Sequence, residues 1–131
     1  MTKKLLLGFV AVFVAWQILD FVIHGMLLAK AYEASASMWR PMEEMKMGLM
    51  YFVGAVSAFI FVWVYAKFVS PKSMMIGLQY GIILGVSYGI GMGYGTYAVQ
   101  PLPYNIALSW FLGTIVEMGV AGLLTGLIIK E

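Results

Sequence analysis

Gln17, Asp20 and His24 follow one another at spacings of three and four residues in the first hydrophobic stretch of the chain. On a helix those spacings put all three on one face, within about 60° of each other. A second isolated carboxyl, Glu117, lies in the last hydrophobic stretch. A charged carboxylate at the centre of a bilayer costs about 2.5–3.5 kcal/mol on insertion scales, so such acids call for partners. His24, one turn beyond Asp20, is the expected partner of that acid. Glu117 either carries its own proton or takes hydrogen bonds from Gln17, Tyr80, Tyr88 and Thr114.

A face of this kind can hold a small polar ligand, a proton or a metal ion. Asp20, His24 and Glu117 offer three oxygen and imidazole ligands, a set that suits zinc, manganese or iron. The di-iron bundle signature, Glu-x-x-His on two helices with two further glutamates, is absent, which makes metal the lesser of the three readings. The plain alternative is that these groups pair with one another and fix helix register. That alternative is preferred for Gln17 alone, and function for Asp20 and Glu117.

Depth can be counted. Asp20 lies sixteen residues after Lys4, roughly 24 Å along a helix, and His24 one turn farther. Glu117 lies thirteen residues before Lys130, roughly 20 Å from the same side. The two acids are therefore expected at similar depth, with Ser87 and Tyr88 beside them. Together they predict a polar pocket in the outer half of a bundle, open to the non-cytoplasmic side. Leu6, Val10 and Phe13 on the inner part of the same face predict an apolar plug rather than an open pore.

The elements that position these residues follow from composition. The chain has 131 residues, 63% hydrophobic and 11% charged, against about 25% charged in a soluble domain. That much apolar surface requires the bilayer, with membrane lipid as its surroundings. Four hydrophobic spans are expected, at about residues 5–29, 47–66, 73–99 and 104–129. Pro41, Pro71, Pro101 and Pro103 all fall between them. The expected fold is an all-α membrane protein, four transmembrane helices in an antiparallel up-down bundle, forming one domain over residues 1–131. The run after Lys3 and Lys4 is too long for a cleaved signal. Pro41 suits the first turn of the second span, with Glu43 and Glu44 near its positive end. Tyr32 and Trp39 are expected at the interface. Lys3, Lys4, Lys67, Lys72 and Lys130 on one side outnumber Lys30, Arg40 and Lys46 on the other, which favours cytoplasmic termini.

The third span carries Gly77, Gly81, Gly85, Gly89 and Gly93, one every fourth residue. Small residues in this pattern let a neighbouring helix approach closely in lipid. Gly122 and Gly126 make a second such patch in the fourth span, and Gly54 with Ala58 a smaller one in the second. The run from Gly89 to Gly95, alternating glycine with bulk, predicts a thin or irregular helix end. Met38, Met42, Met45, Met47 and Met50 cluster at the outer end of the second span. Thioethers select Cu(I), but apolar packing is the stronger explanation. Trp16, Trp63 and Trp110 read most simply as lipid-facing or packing residues.

The absence of cysteine excludes disulfides and thiol catalysis. A scattered net charge of +2 excludes nucleic acid as a partner. With one histidine and no G-x-S-x-G motif, an enzyme is not expected. His24-Gly25 followed by Lys30, the glycine-rich third span and the short final span resemble small four-span bacterial inner-membrane proteins of unknown function. The resemblance implies a bacterial inner-membrane location and hands over no catalytic residues. The sequence therefore favours a non-catalytic membrane subunit or scaffold, assembled as a homo-oligomer or in a larger membrane complex through its glycine grooves. A small transporter or ligand-binding protein using Gln17, Asp20, His24, Tyr88 and Glu117 comes second.

Overall fold

A computed structural model describes residues 1–130, whose regular structure is all helical, with no strand among the described residues. We number the helices α1 (Thr2–Leu27), α2 (Ala29–Ala34), α3 (Met47–Phe68), α4 (Met74–Val99) and α5 (Tyr104–Ile128). Four of them, α1, α3, α4 and α5, are long and apolar enough to cross a membrane.

Local chemistry explains where the helices stop and start. Ser73 is extended, and its Oγ accepts the Ile76 N–H at 3.1 Å, capping α4. Gln100 turns extended ahead of Pro101, which ends α4. Pro41 does not open α3. It precedes a single 3₁₀ turn, Met42–Glu44, which takes up Glu43 and Glu44, and α3 begins only at Met47. Two helices widen along their length. α1 is α-helical to Asp20 and π-helical from Phe21 to Leu27, and Leu28 N–H donates five residues back to Ile23 O at 2.9 Å. α4 widens in the same way at Gly91–Gly95.

The glycine stripe of α4 lies against α5. A Cβ on Gly77, Gly81 or Gly93 would strike the carbonyl oxygens of Gly122, Met118 or Ala107. One on Gly85 would sit 2.8 Å from Ile115 Cα, and one on Gly89 2.9 Å from Phe111 O. In return, a Cβ on Gly122 would lie 2.9 Å from Gly81 Cα, and one on Gly126 2.5 Å from Ser73 O. Only glycine permits backbones this close. The surface expected to dock a partner is thus filled by the chain's own last helix.

The other long helices gather around this seam. Gly8 and Ile129, Trp16 and Ala121, and Ile23 and Gly113 bring α1 to α5. Gly54 of α3 faces Phe13 and Gln17 of α1. α3 meets α4 at one end, where Tyr80 Oη donates to Phe61 O at 2.6 Å and Tyr65 Oη to Ser73 O at 3.0 Å. The main core closes that end with Val12, Ala58, Val62, Tyr65, Ala121 and Ile129. The expected plug lies elsewhere: Leu6 and Val10 are exposed, because the buried line along α1 runs through Gly8, Val12 and Trp16. A second core, Ile23, Leu28, Leu102, Ile106 and Ala107, holds α2 and Trp39 down over the other end of α1 and α5. Between these two cores α3 stands away from its neighbours. The cleft it leaves has a volume of about 2100 Å³.

Candidate functional site

The wide turn of α1 and the middle of α5 together form one wall of this cleft. There Asp20, His24 and Glu117 each present a ligand atom within 4.8 Å of the others, and all three are half-buried. His24 Nε2 lies 4.0 Å from Asp20 Oδ1. Their side chains are 39% and 44% exposed, so the cleft reaches both.

The imidazole is held from behind. His24 Nδ1 and Tyr32 Oη are 2.6 Å apart, and the rings stack with centroids 6.0 Å apart at 20°. Trp110 Nε1 donates to the same phenol oxygen at 2.7 Å. An indole N–H can only donate, so Tyr32 accepts from Trp110 and keeps its own proton to offer to Nδ1. In that arrangement neutral His24 carries its proton on Nε2, facing Asp20. Burial raises the Tyr32 pKa, the Trp110 hydrogen bond lowers it, and the Asp20 charge adds to the rise. The phenol therefore stays protonated at neutral pH. Trp39 packs edge-on to Tyr32 at 5.4 Å and tilted against Trp110 at 5.9 Å. Its Nε1 donates to Ser35 Oγ at 2.9 Å, and Ser35 donates to Ala31 O at 2.8 Å, which ties α2 into the assembly.

α5 is fixed at the same height. Trp16 Nε1 donates to the Glu117 main-chain oxygen at 2.9 Å, binding the two helices that carry the acids. Two of the hydroxyls expected at Glu117 are used elsewhere. Thr114 donates to Trp110 O at 2.7 Å, and Tyr80 to Phe61 O. Gln17 lines the cleft with its amide against Gly54. Tyr88 lines it from α4 and is 64% exposed. Of the outer methionines, Met38 packs into the second core, whereas Met42, Met45, Met47 and Met50 are exposed along the mouth of the cleft.

Sequence reasoning missed Tyr32 and Trp110. Tyr32 is eight residues from His24, and a turn at Leu28 brings it back. A buried indole needs a partner for its N–H, and that requirement was the available signal for Trp110.

No family model, curated protein or solved structure matches this chain. A carboxyl pair beside an imidazole is a cation-attracting arrangement. Close carboxylates repel, and a proton or another positive charge relieves the repulsion.

Proposed function

We propose that this protein is an integral membrane protein that binds a small cationic or proton-donating ligand in the cleft between α3 and the α1–α5 wall, as a binding or transport protein rather than an enzyme. One observation carries the reading: Glu117, far along the chain, joins Asp20 and the single histidine at a cleft instead of all three being paired off inside a core. In this view the four long helices insert as an antiparallel up-down bundle. The descending pairing of Gly77, Gly81, Gly85, Gly89 and Gly93 with residues 122 to 107 supports that topology, as does the apolar surface exposed on every long helix. The lysine and arginine balance favours both termini in the cytoplasm, and the resemblance to small four-span bacterial proteins suggests an inner-membrane location.

A scaffold assembled through glycine grooves becomes the second reading. The α4 stripe is occupied by α5, so a homo-oligomer or larger membrane complex would use other lipid-facing surface.

Native mass spectrometry of protein gently extracted from its own membrane tests the cleft. The wild type is expected to carry a reproducible extra mass, and Asp20→Asn and Glu117→Gln to lose it while melting within a few degrees of wild type. An adduct unchanged in both variants defeats the proposal. So does collapse of folding in both, which would make the acids a register pin.

A further inference from the structure

We propose that Asp20, His24 and Glu117 form a three-ligand site for a first-row divalent metal ion such as Zn²⁺ or Mn²⁺, with Tyr32 as the residue that positions the histidine. The proposal rests on the cleft reading above and names its ligand.

Ligand geometry comes first. The three donor atoms lie within 4.8 Å of one another. Even an equilateral triangle at that limit has its centre only about 2.8 Å from each atom, so side-chain rotations of under about 1 Å reach metal bonds of ~2.1 Å. Both carboxyls sit on rotatable side chains at a cleft wall, and nothing in the backbone has to move. Three protein ligands leave positions open toward the cleft, as in sites that exchange water or cargo.

Charge makes the ion divalent. A metal ion binds carboxyl ligands in their deprotonated form, so in the loaded site Asp20 and Glu117 would supply two negative charges and a neutral His24 none. A doubly charged ion neutralises the cluster, whereas a single ammonium or proton leaves one charge in a poorly solvated setting. The imidazole then separates the candidates further. Nitrogen ligation suits zinc and its transition-metal neighbours, while Mg²⁺ prefers oxygen and water.

The histidine has the outer support such ligands need. When Nε2 binds a metal, Nδ1 must carry the proton and donate it outward. Tyr32 Oη, 2.6 Å from Nδ1, has two lone pairs, enough to accept from both His24 and Trp110. The same phenol that donates to Nδ1 in the free site thus accepts from it in the loaded one. The π turn of α1 aims His24 between this phenol and the acids.

The test titrates purified full-length protein in detergent with ZnCl₂ or MnCl₂, with MgCl₂ as control, by calorimetry. Intrinsic tryptophan fluorescence is read in parallel, since Trp16 and Trp110 bond directly to Glu117 and Tyr32. Wild type is expected to bind one Zn²⁺ or Mn²⁺ per chain and to ignore Mg²⁺ at the same concentration. Asp20→Asn, Glu117→Gln and His24→Ala should each abolish saturable binding. Tyr32→Phe should keep the stoichiometry and weaken binding about 10- to 100-fold, the usual cost of losing a metal ligand's outer partner. Absence of saturable binding to wild type overturns the metal assignment. So does binding that survives Glu117→Gln or His24→Ala unchanged. A wild type that takes no metal but loses its native adduct on Asp20→Asn sinks the metal and keeps the cleft. Loss of both signals sinks both.

Discussion

Gly81→Ala offers the sharpest measurement of the α4–α5 seam. The added methyl would strike Met118 O while also lying 2.9 Å from Met118 carbonyl carbon and 3.0 Å from Gly122 Cα. These are backbone atoms, which cannot rotate away as a side chain end would. The helices must part locally, and the neighbouring glycines make that costly because Gly77 and Gly85 are at contact one turn to either side. Overpacking of this kind costs about 1–3 kcal/mol. Alanine recovers at most about 1 kcal/mol of helix propensity. A net loss of up to about 2 kcal/mol is expected by that difference. Gly48→Ala is the control, since a Cβ there meets nothing within 4 Å. It should be neutral or stabilising by up to about 1 kcal/mol. Unfolding in mixed micelles of rising sodium dodecyl sulfate, followed by circular dichroism, measures both. Combining Gly81→Ala with Gly122→Ala adds a second criterion. The two residues face each other, so a seam already opened by one admits the other at reduced cost, and the pair should fall short of additivity by about 0.5 kcal/mol or more. Equal effects of Gly81→Ala and Gly48→Ala, or strict additivity of the facing pair, would refute the close backbone contact.

Two further substitutions probe how the closed end is held. Ser73→Ala removes the acceptor for Ile76 N–H and should cost about 1 kcal/mol in the same unfolding assay. No loss would mean another group caps α4. Tyr80→Phe deletes the 2.6 Å bond to Phe61 O that joins α4 to α3. It should cost about 0.6 kcal/mol, the average for side-chain hydrogen bonds between membrane helices. Hydrogen exchange should also rise selectively in α3 near Phe61, and unchanged protection there would count against the bond as a tether.

The long helices were legible because each apolar run exceeds the length a bilayer needs and prolines separate them. The glycine stripe was legible as a close contact with a neighbouring helix, but which helix fills it was not named in advance. Gly122 and Gly126 share the same four-residue spacing in the adjacent helix, and a short connection makes that neighbour the nearest occupant. Asp20 and His24 could be paired by their spacing, and Glu117 by counting depth. The supports behind them could not. Tyr32 lies past a break at Leu28, so helical periodicity carries no information about where it folds. The wide turn at Gly91–Gly95 falls in the alternating glycine run that pointed to an irregular helix, whereas the one at Phe21–Leu27 leaves little trace in composition beyond Gly25. The departure of α3 from the bundle was hidden for another reason. Its first half carries only Tyr51 and Ser57 as polar side chains, too few to mark in the sequence which side faces the cleft.

Rigidity and opening are divided between different helices, and the division follows from side-chain size. Glycine against glycine welds α4 to α5, and Trp16 bonds α1 to α5 at the Glu117 main chain, so the wall bearing both acids is fixed. α3 has large side chains instead, and they mesh with the rest at the Phe61–Tyr65 end. Past that point Leu49, Met50, Phe52 and Val53 are exposed and held by no comparable contact. A helix anchored at one end can alter the width of the cleft without displacing Asp20 or Glu117. The metal site proposed above would be served by that arrangement: a stiff wall to keep three ligands in register, and a separate element for access.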